Sequence, residues 1–195
     1  MKINILIGII ICLLSLDGFS ETTYKVDGKK SKLKWLGKKV TGSHTGFIKI
    51  TKGSLKFEGS NLVAGNFSVD MNSISCTDLD GEWNKKLVGH LKAEDFFNVG
   101  KFKNAHFKIT DAQLGKGGKY NLVGDLTIRG KTHSVLFDAE ITISKNSLRA
   151  KSKIVFDRTK YDIKYKSKKF FDPKVLGDKL IYDDVELEID LKAIK

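Results

Sequence analysis

LTIRGKTHSVLFDAEITISKNSLRAKSKIVF, running from Leu126 to Phe156, is the stretch that decides the fold class. After Arg129-Gly130-Lys131, the residues His133, Val135, Phe137, Ala139, Ile141 and Ile143 fall on one side. Ser134, Asp138, Glu140 and Thr142 fall on the other. Side chains alternate along a strand with period two, so this run buries one face and wets the other. Lys145-Asn146 turns the chain, and Ala150, Ser152, Ile154 and Phe156 make the next apolar face. Upstream, Leu122, Leu126 and Ile128 share a face, with Gly124 in the remaining position. Downstream, Ile181, Val185, Leu187, Ile189 and Leu191 alternate with Tyr182, Asp184, Glu186, Glu188 and Asp190.

The same grammar runs through the first half. Phe47, Lys49 and Thr51 lie opposite Ile48 and Ile50, and Lys52-Gly53 is predicted to be a turn. Glu58 to Asn61 is a second turn, after which Phe67, Val69 and Met71 alternate with Ser68, Asp70 and Asn72. One segment breaks the pattern. Leu79, Trp83, Leu87 and Leu91 recur every four residues, after Thr77 and Asp78 as candidate caps. This predicts a short amphipathic helix over residues 78–86. No helix-sized segment separates the later strands, so the sheet is expected to be antiparallel. About eight or more such strands suggest a sandwich or a closed barrel, and closure removes the exposed edges that template aggregation. A barrel of eight can hold one small ligand, and these inward faces are almost wholly apolar.

The chain has 195 residues, 41% hydrophobic and 30% charged, which excludes disordered, collagen-like and disulfide-scaffold classes. Its net charge of +12 comes almost entirely from lysine, since Arg129, Arg149 and Arg158 are its three arginines. Scarce arginine forks suit base or phosphate readout poorly, so no nucleic acid is expected as a partner. Lys2, the aliphatic run Ile5 to Leu14 and the small-residue end Gly18-Phe19-Ser20 have the order of a secretory signal. Residues 1–20 are therefore expected to be a cleaved signal peptide and residues 21–195 one domain, exported to the periplasm. Removing Cys12 leaves Cys76 as the one mature cysteine, which reads as a buried structural residue.

The sharper chemistries find little support in the spacing. His44, His90, His106 and His133 form no HxH, HExxH or Cys–His ligand set, so no metal site is expected. There is no GxSxG elbow, and no Cys–His pair is recognisable around Cys76. No catalytic residues are assigned. The adjacent Asp183-Asp184 should straddle a strand and point to opposite faces.

Several runs then resemble the YceI-like family of secreted, lipocalin-like, polyisoprenoid-binding proteins, from Tyr24 to Lys192. They are YKVD at Tyr24, SKLKW ending at Trp35, HTGFIKITKGSLKF from His44 and GHLKAEDFFNVGKFKNAHFKI from Gly89. LTIRGKTHSVLFD from Leu126 and FDRTKYDIKYKSKKFFD from Phe156 are similar to its two C-terminal signatures. Asn104 stands where that family usually has proline. The resemblance implies an antiparallel, eight-stranded, lipocalin-like barrel with an inserted helix. It also implies a long isoprenoid, quinone-like or fatty amphiphile in the lumen, with no other cofactor.

Phe67, Val69, Met71, Leu126, Ile128, Val135, Phe137, Ile141, Ile154 and Phe156 are the candidate lumen residues. Trp83, Leu87, Phe96, Phe97 and His133 are the candidate mouth residues, with His133 placed to meet a headgroup. A non-enzymatic lipid carrier, store or sequestering protein is the resulting expectation, with transient contact to anionic membranes through lysines. Two alternatives remain: a periplasmic hydrolase using the same pocket, and a ligand-free basic stress or surface protein.

Overall fold

The computed structural model describes residues 20–195. The expected signal peptide, residues 1–20, therefore lies outside the described residues except for Ser20. The elements are β1 (Glu21–Val26), β2 (Lys32–Lys39), β3 (Gly42–Glu58), β4 (Asn61–Asp70), α1 (Gly81–Lys92) and β5 (Asn104–Leu114). They continue with β6 (Lys119–Ile128), β7 (Lys131–Ser144), β8 (Ser147–Asp157), α2 (Pro173–Leu176) and β9 (Ile181–Ile194). Every strand pairing is antiparallel.

The ring β2-β9-β8-β7-β6-β5-β4-β3 returns to β2, so eight strands close a barrel. β1 is the ninth strand. It pairs with the second half of β3, from Glu21↔Glu58 to Lys25↔Ser54, and touches the end of β9 at Lys25↔Ile194. It thereby continues the position that β2 occupies against the first half of β3. Closure gives most buried backbone groups a ladder partner and leaves few open sheet edges.

β3 corrects one sequence-based expectation. Lys52-Gly53 is not a turn, because the strand runs unbroken through it and the register merely shifts between Ile50 and Lys52. A bulge bends a strand without ending it. Glycine is required there because a Cβ on Gly53 would stand 2.7 Å from both Phe67 and Val26.

The helix is real but differently placed. α1 spans Gly81–Lys92, and its packed face is Asn84, Leu87, Val88 and Leu91. Trp83 is 70% exposed, with Lys86 Nζ 5.0 Å above its ring. Leu79 precedes the helix, and at about 100° per residue Trp83 falls about 40° outside the sector that Asn84, Leu87, Val88 and Leu91 occupy. Asp80, not Thr77 or Asp78, occupies the N-cap. Asp78 is engaged elsewhere.

Candidate ligand-binding lumen

Inside the ring lie two apolar lobes that share Leu33, Val69, Ala105, Leu126 and Leu187 as common walls. Each has about 100 Å³ of open space. One water needs about 10–15 Å³ on this scale, so each lobe admits far more than an isolated solvent molecule.

The first lobe is a product of strand alternation. Phe67, Val69, Leu126, Phe137, Ile141 and Ile154 all line it, as the sequence pattern predicts. Phe107 sits between two of them, stacked on Phe67 at 6.2 Å and tilted against Phe137 at 5.5 Å. Its ring occupies the space a side chain at position 124 would need, with 2.2 Å to a Cβ built on Gly124. Phe107 was missed by sequence reasoning, although its alternation with Ala105 and Ile109 was there to be read.

The second lobe has a mixed wall. Val69, Met71, Leu126, Ile128 and Phe156 come from the predicted lumen set. Trp35, Leu91, Phe96 and Phe97 close it, Phe96 and Phe97 being 6% and 7% exposed. The loop carrying this aromatic pair is tied down by Arg129, whose Nη1 donates to the carbonyls of Phe96 (2.7 Å) and Asp162 (2.9 Å). The rings of His90 and Phe97 both meet Phe96 edge-on, at 5.5 and 5.2 Å.

Four assignments change. Trp83 is on the surface, and Leu87 packs on the core without lining either lobe, so Leu91 takes the role given to both. Val135 also packs on the core without reaching the open space. His133 is not at a mouth. Its Nε2 is 2.9 Å from the Lys160 carbonyl and its ring lies edge-on to Tyr161 at 5.1 Å. The reason is the register. The β7–β8 ladder begins only at Ala139↔Ser152, and the turn Arg158–Tyr161 packs against the earlier part of β7.

Among the described residues, that turn carries the one charged side chain on the lumen wall. Arg158 is 1% exposed and lines the second lobe. Its Nη1 donates to Ile163 O (2.7 Å), its Nε to Tyr182 O (3.1 Å), and its Nη2 to Ile181 O (3.0 Å) and Asp183 Oδ1 (3.2 Å). Burial pushes the guanidinium pKa down, and the charges of Asp183 and Asp157 oppose that shift. Asp183 Oδ2 and Tyr161 Oη are buried without a hydrogen-bond partner, and burial raises the Tyr161 phenol to about 12. Asp183 and Asp184 do face opposite ways, one buried and one exposed. Arg158 was legible only as a rare arginine.

A second polar constellation lies beside the first half of β3. Residues 73–77 run along that edge, with Ser75 N donating to Phe47 O (3.0 Å) and Thr77 N to Thr45 O (2.9 Å). This brings together His44, Cys76 and Asp78, whose ligand atoms lie within 4.8 Å of one another. Asp78 Oδ2 is 2.9 Å from His44 Nδ1, and its Oδ1 accepts from Thr45 N (3.0 Å) and Cys76 Sγ (3.1 Å). Burial alone would raise the Asp78 carboxyl, but Thr45, Cys76 and His44 hold it down at about 2. Burial pushes the Cys76 thiol up, the Asp78 backbone opposing the shift and its carboxylate adding to it. Cys76 is buried and free, as expected.

Residues 24–193 match the YceI-like domain family. The chain belongs to the YceI-like family. Among its relatives are UPF0312 proteins of Yersinia enterocolitica, 34% identical over 90 residues, and Photorhabdus laumondii, 32% identical over 96. These alignments cover 46% and 49% of this chain, and 44% and 47% of those proteins, so the chain matches less than half of their length. The barrel is similar to BcnA of Burkholderia cenocepacia, with TM-score 0.70 and 20% identity over 86% of this chain and 99% of that one. It is also similar to a polyisoprenoid-binding domain from Saccharophagus degradans, with TM-score 0.62 and 13% identity over 88% and 97%. The YceI protein of Campylobacter jejuni gives TM-score 0.55 and 17% identity over 100% and 99%. These likenesses establish the YceI barrel as the fold. Among the described residues no helix is long and apolar enough to cross a membrane.

Proposed function

We propose that this YceI-like protein is a periplasmic binding protein that carries, stores or sequesters one long-chain isoprenoid, quinone-like or fatty amphiphile in its barrel. The apolar lumen, two adjoining lobes with shared walls, is the observation that carries this reading. Each methylene removed from water contributes about 0.8 kcal/mol, so an isoprene unit offers roughly 3 kcal/mol before ordering costs. The buried Arg158, on the wall of the second lobe, suits an oxygen-bearing headgroup. The polyisoprenoid-binding neighbour from Saccharophagus degradans lends support. Binding is favoured over hydrolysis because the lumen residues do not pair a nucleophile with a base. Ser152 and His106 both border the strand-lined lobe, but His106 is exposed, alternating with Ala105 and Phe107 along β5, and no hydrogen bond joins the two among the described residues.

Export and delivery complete the reading. Protein recovered from the periplasm should begin at or near Glu21, as a single folded domain. Several surface lysines are spent on neighbours, Lys56 on Glu21, Lys153 on Glu186 and Lys164 on Asp162. The segment from Lys164 to Lys179 remains the best candidate for an anionic lipid surface. Of its six lysines, Lys164 and Lys169 pair with Asp162 and Asp157, which leaves Lys166, Lys168, Lys174 and Lys179 together with Phe170 and Phe171, each 49% exposed. Uptake from anionic vesicles should slow as salt rises, because surface charges are screened.

Native mass spectrometry of gently purified protein tests the central point. A retained lipid mass is expected in the wild type and its loss in Phe137→Asp, since an unpaired charge in the lumen brings water with it. A clean apo mass from freshly isolated wild-type protein, or an unchanged lipid load in a folded Phe137→Asp variant, would refute the lumen.

A further inference from the structure

We infer that His44, Cys76 and Asp78 form a binding site for a zinc-class divalent ion, beside β3 and separate from the lumen. The three donors come from segments 34 residues apart in sequence, which is why no ligand spacing announces them. All three ligand atoms lie within 4.8 Å of one another. Metal–ligand bonds of about 2.0–2.3 Å in a tetrahedron set neighbouring donors about 3.5 Å apart. An ion therefore needs only a small adjustment of side chains already converged.

The scaffold around the donors is fixed by contacts that do not involve them. Trp35 Nε1 donates to Ser75 O (2.9 Å), and Asn84 Nδ2 to the Cys76 carbonyl (3.0 Å). Gly46 allows the close approach, since a Cβ there would meet Ser75 O at 1.8 Å and Cys76 Cα at 2.9 Å. The Thr45 amide on Asp78 Oδ1 is the kind of outer contact that orients a ligating carboxylate. A thiolate, an imidazole and a carboxylate together suit Zn²⁺, whereas Mg²⁺ and Ca²⁺ take oxygen donors. Three protein ligands, with Asp78 exposed, leave the fourth position open to water.

A nucleophilic role fits the same residues less well. The carboxylate stands between thiol and imidazole, so His44 makes no contact that would take the Cys76 proton. Cys76 and Asp78 also stand apart from the lumen wall, which reaches this segment only at Ile74.

The test is titration of the purified protein with Co²⁺, then with Zn²⁺ as competitor. One equivalent of cobalt should give a thiolate-to-metal charge-transfer band that one equivalent of zinc abolishes. Zinc at about 100 times its dissociation constant should raise Tm by about 5 °C or more, while Mg²⁺ and Ca²⁺ should not. Cys76→Ser should lose the band, and His44→Gln and Asp78→Asn should each weaken zinc binding about tenfold or more. His90→Gln, at the separate His90–Asp95 pair, should bind zinc as tightly as wild type. Melting each variant without metal separates lost ligation from lost folding, and the half-buried His44 provides the reading if Cys76→Ser is unstable. Absence of the charge-transfer band in the wild type, or zinc binding unchanged in folded His44→Gln, overturns the site.

Discussion

The two lobes of the lumen are built by different means. The lobe around Phe67, Phe107 and Phe137 is walled by residues that alternate along strands, and each reaches the interior by the pleat alone. The lobe around Phe96, Phe97 and Arg158 is closed by a helix, a loop and a turn. Their side chains reach the interior because Arg129 and Arg158 bond to carbonyls far away in sequence. One barrel thus has a lobe lined by strands and a plugged lobe held by two arginines. Removing a hydrophobic group leaves space, whereas removing a buried cation leaves its partners unpaired.

The largest effect should follow Arg158→Ala. It strands Asp183 and three carbonyls, and is expected to cost about 3–5 kcal/mol by denaturant unfolding. The double change Arg158→Met with Asp183→Leu should recover much of that loss, since both charges then disappear together. If Arg158→Ala costs no more than truncating a lumen phenylalanine, the contrast between the two ends fails.

Phe97→Ala comes next. Because Phe97 is buried rather than perched at a rim, it should cost about 3 kcal/mol, the low end for a buried phenylalanine, as well as speeding lipid loss. Stability unchanged within error, with faster lipid exchange, would return Phe97 to a peripheral gate.

Acid sensitivity sharpens the contrast from outside the lumen. Glu186 is held at about 2 by Lys153 first and Lys38 second, across the β8–β9 and β2–β9 ladders. A carboxyl whose folded pKa is depressed stabilises the fold above its unfolded value near 4.3, and that contribution is lost as pH falls towards 2. Wild-type Tm should therefore fall between about pH 4.5 and 2 more steeply than that of Glu186→Gln. Parallel profiles would show that this pair of ladders gains nothing from Glu186.

The smallest effect belongs to Trp83→Ala, expected within about 0.5 kcal/mol of wild type despite the size of the side chain. A large loss on melting, or a loss of bound lipid, would put the helix's outer face back into the ligand site.

The strand-lined lobe was legible because a period of two is a local property. Given only that one face is buried, Leu126, Phe137, Ile141 and Ile154 must point together. The helix was legible in existence but not in phase, since Leu79, Trp83, Leu87 and Leu91 share a spacing without sharing a face. Val135 and His133 had the right parity, yet parity does not say whether a neighbouring strand or a folded turn covers the inward side. Phe107 was readable and overlooked, while Arg158 carried no pattern at all.

From its sequence alone, this protein is an antiparallel all-β chain whose alternating faces must enclose something apolar, and its family runs add the YceI barrel. Tertiary structure alone decided where β1 completes the wall, which aromatics plug the lumen and that an arginine is buried there. It also decided that His44 meets Cys76 and Asp78. The physical reason is range. Alternation is set by each residue's immediate neighbours, whereas the plug and the three-residue cluster depend on backbone carbonyls, a glycine gap and a strand register supplied by distant parts of the chain.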